Sequence, residues 1–192
     1  MFIQIIVALP FYVLTFLILR YQKAHHLTLN NLWLHNIYTF VETGILLIGL
    51  NSKISGRVVK VLLRIGFLLF LMVFAYEYIT KDSYKIYNLS FFIESMLITI
   101  FSSLILYQSL HKATSDWKTN PDIWILLGLI LYFAGDVPYV GLLNYLNSEF
   151  PGLSKLFVHL VNNLLANLRY LLLALGFWLL ISRLGKNQSE TT

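Results

Sequence analysis

The 192 residues are 58% hydrophobic and 12% charged, with a mean hydropathy of +0.71 and a formal net charge of +5. A soluble domain carries about 25% charged residues, so the composition argues against one and points to an integral membrane protein. The basic residues are scattered through loops and helix ends beside apolar runs, which argues against a nucleic-acid-binding face and makes membrane lipids the expected partner of the positive charge.

Six apolar runs, at about 2–20, 31–51, 58–79, 86–108, 122–146 and 155–183, are each long enough to cross about 30 Å of hydrocarbon at 1.5 Å per residue. The expected fold is therefore all-α: a polytopic transmembrane bundle of six helices, forming one domain over 1–185, with a disordered polar tail at 186–192. The first run has no basic residue before it and no small-residue cleavage site after it, so it reads as a retained helix rather than a signal peptide. The second begins near Trp33 and carries His35, Asn36, Thr39 and Glu42. The third opens with Arg57, Lys60 and Arg64 at helical spacing, where long side chains snorkel toward lipid headgroups. Tyr87, Asn88 and Glu94 fall in the fourth. In the fifth, which starts by Trp117 and Trp124, Gly135, Asp136 and Pro138 interrupt an apolar span. Pro138 has no N–H to give the Ala134 carbonyl, so a kink is expected there. The sixth bears a broad polar stripe of His159, Asn162, Asn163, Asn167 and Arg169 and ends by Trp178.

Six crossings place both termini on one side. Eight loop or helix-end lysines and arginines (53, 57, 60, 64, 112, 118, 183 and 186) lie on that side, against five (20, 23, 81, 85 and 155) on the other. The excess of basic residues in cytoplasmic loops then puts both ends in the cytoplasm.

One short pattern recurs. Asparagine, five residues, then an ionisable group appears as Asn36 to Glu42, Asn88 to Glu94 and Asn163 to Arg169. The first two copies match further, Phe40-Val-Glu-Thr43 against Phe92-Ile-Glu-Ser95, at an offset of 52 residues. The second, fourth and sixth spans would then be corresponding members of three repeated hairpins, all running the same way through the bilayer. A charged side chain at mid-membrane costs about 2.5–3.5 kcal/mol on the lenient insertion scale, and persists where it pairs, lines a wet cavity or performs a function. Counted from the opposite face, Glu42, Glu94, Asp136 and Arg169 spread over about 9 Å of depth. They are expected to form one buried charge cluster, with Asn36, Asn88, His159, Asn162, Asn163, Asn167, His35 and Tyr87 as supporting polar groups. Three acids facing one arginine would leave an uncompensated negative charge. Some carboxyls must then be neutral, or a proton, metal cation or amine must compensate them.

Chemistry of other kinds finds little support. The chain has no cysteine, hence no disulfide, thiolate nucleophile or thiolate metal site. It contains no HExxH, nucleophile-elbow or Gly-rich phosphate motif. The adjacent His25 and His26 diverge by about 100° on a helix and make a poor metal pair. No residue set identifies a cofactor. Acids with a histidine can still activate water at a lipid-facing site, so an intramembrane lipid-modifying enzyme stays open, as does a small proton- or cation-coupled transporter.

The segment Pro121-Asp-Ile-Trp-Ile-Leu-Leu-Gly-Leu-Ile-Leu-Tyr-Phe-Ala-Gly135, with His159, Asn163, Asn167, the terminal Gly176-Phe-Trp178 and the two Phe-[Val/Ile]-Glu-[Thr/Ser] helices, resembles uncharacterised six- or seven-helix membrane proteins of Bacteroidota. Similar helical regions form the membrane sensor parts of bacterial signalling proteins, so the resemblance implies a ligand-sensing or partner-binding module. No kinase or other output domain follows Arg183 in this sequence, so sensing would require a partner membrane or signalling protein.

Overall fold

A computed structural model describes residues 32–81, 87–112, 117–150, 152–153 and 163–189. The expected first span, His159 and Asn162 lie outside these residues. Among the described residues the secondary structure is helical, with no strand: α1 (Leu32–Lys53), α2 (Arg57–Thr80), α3 (Asn88–Lys112), α4 (Pro121–Glu149) and α5 (Asn163–Ser189), with a single 3-10 turn at Trp117–Thr119 before α4. Four of the five, α2 to α5, contain stretches long and apolar enough to cross a membrane. They fit a membrane protein. α1 is 22 residues long but falls outside that set; His35, Asn36 and Glu42 lower its hydropathy.

The chain divides into two units, residues 1–94 and 95–192, with the boundary inside α3. In the first unit α1 ends on an Ile54 N–H bond to the Leu50 carbonyl, and the chain reverses through Gly56. Gly56 has φ of 121°, a conformation a side chain would strain, and it starts α2. α2 returns alongside α1, where Phe40 lies against Phe70 and Phe74 with ring centroids 6.4 and 5.0 Å apart. Tyr87 and Phe74 meet edge to face with ring centroids 5.4 Å apart, which carries this aromatic packing to the start of α3. Leu63, Gly66, Phe70 and Glu77 form the buried face of α2. The opposite side exposes Val61, Leu62, Ile65, Leu68, Leu69 and Met72, the pattern of a surface solvated by acyl chains rather than water.

In the second unit α4 starts cleanly. The Asn120 side chain accepts the Asp122 N–H at 3.1 Å, Pro121 fills the first helical position, and Asp122 sits favourably in the first turn. Trp124 donates its ring N–H to the Lys118 carbonyl at 2.8 Å and packs by Trp117, anchoring the entry. α4 then continues through Pro138 to Glu149. It runs antiparallel to α5, since Gly128 meets Arg169 and Leu172, Gly135 meets Leu165, and Gly176 meets Pro121 and Ile125. The sequence has no GxxxG pair. The close approach instead uses glycines two turns apart on α4 and a third on α5.

A side chain at Gly176 would come within 2.5 Å of Ile125 and 3.0 Å of the fixed Pro121 carbonyl, whereas nothing lies within 4 Å at Gly44. Overpacking costs about 1–3 kcal/mol, while alanine in place of an unconstrained helical glycine gains up to about 1 kcal/mol. Gly176→Ala is therefore expected to lower, and Gly44→Ala to hold or raise, the unfolding midpoint of the purified protein in a thermal melt.

Candidate functional site

The described polar groups gather into two centres, one in each unit. The first is built around Glu77, one turn before the end of α2 and 1% exposed. The Tyr87 carbonyl accepts the first helical bond of α3, from Phe91, which makes Tyr87 the N-cap. The second and third N–H groups of α3 then need an acceptor, ordinarily the cap's own side chain. Tyrosine cannot supply one. Glu77 does so from another helix, accepting from Leu89 N at 3.2 Å, from Ser90 N at 2.8 Å and from the Ser90 hydroxyl at 2.6 Å. Lys81, one turn on, donates to the same carboxylate. The negative charge is thus held by a helix N-terminus and a cation together.

Asn36 and Thr43 join α1 to the same stretch of α3. The Asn36 side-chain oxygen accepts the Tyr87 N–H at 3.3 Å, and Thr43 Oγ1 lies 2.6 Å from Glu94 Oε1. From the first contact to the second, each helix advances seven residues. α1 and α3 therefore run parallel here, in a register where residue i meets i+51. The motif alignment offsets them by 52. The difference arises because Asn36 bonds the backbone of Tyr87, one residue before Asn88, and Thr43, one residue after Glu42, bonds Glu94. Thr43 Oγ1 also lies 2.7 Å from the Thr39 carbonyl. A hydroxyl has one proton to donate and can accept others. The arrangement therefore suits Glu94 as a carboxylate receiving the Thr43 proton, or as a carboxylic acid donating its own while Thr43 bonds Thr39.

The second centre lies on the facing sides of α4 and α5. Arg169 is 4% exposed and Asp136 2% exposed. The guanidinium carbon stands 4.5 Å from the Tyr132 ring centroid, 5.2 Å from Phe133 and 5.9 Å from Tyr170. A planar cation on aromatic faces gains about 2 kcal/mol or more when desolvated. Helical side chains lean toward their own N-terminus, and α5 is antiparallel to α4. The lean thus carries the guanidinium toward the level of Asp136, one turn beyond Tyr132.

Of the expected cluster, Glu42 and Glu94 thus stand in the first unit and Asp136 and Arg169 in the second, all four buried. Asn36 is buried and Asn88 half-buried at the start of α3, while Asn163 and Asn167 are exposed on α5. His35 is exposed, with its ring 5.9 Å from Phe91. Gly135 packs on Leu165, and Pro138 is exposed. Arg57 and Arg64 are exposed and Lys60 half-buried. Sequence reasoning passed over Glu77, whose signals were an acid near the end of an apolar run and a lysine four residues on. It also passed over Tyr132, Phe133 and Tyr170 as the groups around Arg169. Among the described residues no three His, Asp or Glu side chains converge as metal ligands would. Comparisons with protein-family models, with curated proteins and with solved structures find no match.

Glu77→Ala would leave the Leu89 and Ser90 donors without their acceptor, at about 1–3 kcal/mol for orphaned buried groups. It is expected to lower the unfolding midpoint clearly, with Glu77→Gln falling between it and the parent because one acceptor oxygen remains. Equal midpoints for parent and Glu77→Ala would contradict the capping role. For the second centre, Arg169→Leu is expected to destabilise more than Lys112→Leu. Arg169→Lys should lie between them, since it keeps the charge and loses the flat stack; thermal melts of the three variants decide the order.

Proposed function

We propose that this chain is a six-span inner-membrane module, both ends cytoplasmic, that senses a ligand or engages a partner membrane protein through its helices. The supporting observation is the pair of polar contacts between α1 and α3, Asn36 to Tyr87 and Thr43 to Glu94, two turns apart. Interhelical hydrogen bonds of this kind contribute about 0.6 kcal/mol each on average. Contacts of this size define a register without locking it. A ligand or partner contributing about 1–3 kcal/mol of coupling is enough to shift such an arrangement. The resemblance to membrane sensor regions points the same way.

A proton-coupled carrier is the second reading, favoured by the Thr43–Glu94 contact that suits either protonation state of the acid. Reconstitution separates the two. In sealed vesicles containing the purified chain and a pH-sensitive dye, the sensing module is expected to show no proton flux above that of empty vesicles under an imposed gradient. Flux abolished by Glu94→Gln would overturn the sensing reading in favour of the carrier.

A further inference from the structure

The first two turns of α2 carry Arg57, Lys60 and Arg64, which lie within about 60° of one another around the helix. Among the described residues none of the three makes an ion pair or hydrogen bond through its side chain. This is an unfavourable place for unpaired cations. A helix N-terminus carries partial positive charge, the first turn of α2 contains no acid, and its N-cap Gly56 has no side chain to satisfy the free N–H groups. Three like charges at the positive end of one helix are electrostatically incomplete without an anion.

What lies beyond the cations identifies the anion. Continuing along the same face, the steps of four, three and four residues that follow Arg64 reach Leu68, Leu71 and Ala75. Leu68 and Ala75 are exposed and Leu71 half-buried, so an apolar lane opens below the charges and narrows to a small residue at its end. The eleven residues from Arg64 to Ala75 rise about 16 Å. One leaflet of hydrocarbon is about 15 Å deep, half of the full core. The buried face of α2, through Leu63, Gly66, Phe70 and Glu77, lies on another side of the helix and leaves this lane uncovered.

We infer that Arg57, Lys60 and Arg64 form a binding site for one anionic phospholipid, its phosphate held by the three cations and one acyl chain lying along Leu68, Leu71 and Ala75. A free phosphate would match the charges but not the lane, and a zwitterionic lipid would bring its own cation against three others. The site is independent of whether the module senses or carries.

Native mass spectrometry of the full chain in detergent tests this, with phosphatidylglycerol or phosphatidylcholine added at equal concentration. One phosphatidylglycerol is expected to be retained in preference to phosphatidylcholine. Its apparent affinity should fall about 100-fold in the triple variant Arg57→Gln, Lys60→Gln, Arg64→Gln, from roughly fivefold per cation. The variant Lys112→Gln, Lys118→Gln, Lys186→Gln loses the same charge elsewhere and should keep the preference. Equal loss in both triple variants would mean attraction to net charge and overturn the site. Displacement of the lipid by an equal concentration of inorganic phosphate would overturn the lane. All six substituted residues lie at helix ends or in the connecting and terminal segments, and circular dichroism checks that both variants retain their helices.

Discussion

A carboxylate buried among apolar helices must draw its hydrogen bonds from protein, and Glu77 does so from the first turn of α3. The first unit depends on this contact. It satisfies two needs together, since the helix start lacks an acceptor and the acid lacks donors. Neither Tyr87 as a cap nor Glu77 as a lone acid would be stable there separately. By tying the end of α2 to the beginning of α3, it also fixes where α3 starts. That start places Tyr87 opposite Asn36 and, two turns deeper, Glu94 opposite Thr43.

The second unit solves the same problem with different groups. Close approach comes first, because glycines at 128, 135 and 176 remove the side chains that would hold α4 and α5 apart. An arginine backbone brought near α4 lays its guanidinium on Tyr132 and Phe133. Aromatic faces stabilise a cation without demanding a fixed hydrogen-bond geometry.

The helices were legible in the sequence because apolar length is the strongest signal a membrane-type chain carries. The runs read at 58–79, 86–108 and 122–146 correspond to α2, α3 and α4 within a few residues, while α5 begins at Asn163 and continues to Ser189. Burial of Glu42, Glu94, Asp136 and Arg169 was legible for the same reason, as charge inside such runs has few other places to go. Several of the groups that touch them or share their role were not. Glu77 acts through backbone N–H groups, and these are invisible to any search for side-chain complements. Thr43 looked like part of a repeated word rather than the group that touches Glu94. Tyr132 and Phe133 read as ordinary apolar filling, since an aromatic face advertises no charge preference. Glycines seven apart carry no recognised signature, yet on a helix they share a face as surely as glycines four apart.

The polar contacts of the first unit differ in strength in a way that bears on the proposed role. Around Glu77, three donors from α3 and the Lys81 ammonium converge on one charge, and bonds to a charged group contribute about 1.5–3 kcal/mol. Deeper in, the Thr43–Glu94 contact is a single hydroxyl that has a second acceptor in the Thr39 carbonyl. Rotation of that hydroxyl toward Thr39 breaks this one contact while Thr43 keeps a hydrogen bond. The α2–α3 end is therefore the fixed point and the α1–α3 contact the adjustable one. In the proposed sensing module, movement would begin at Thr43, whose hydroxyl has an acceptor in either position. The Glu77 clasp would remain closed, and α1 would shift against an α3 whose own start does not move.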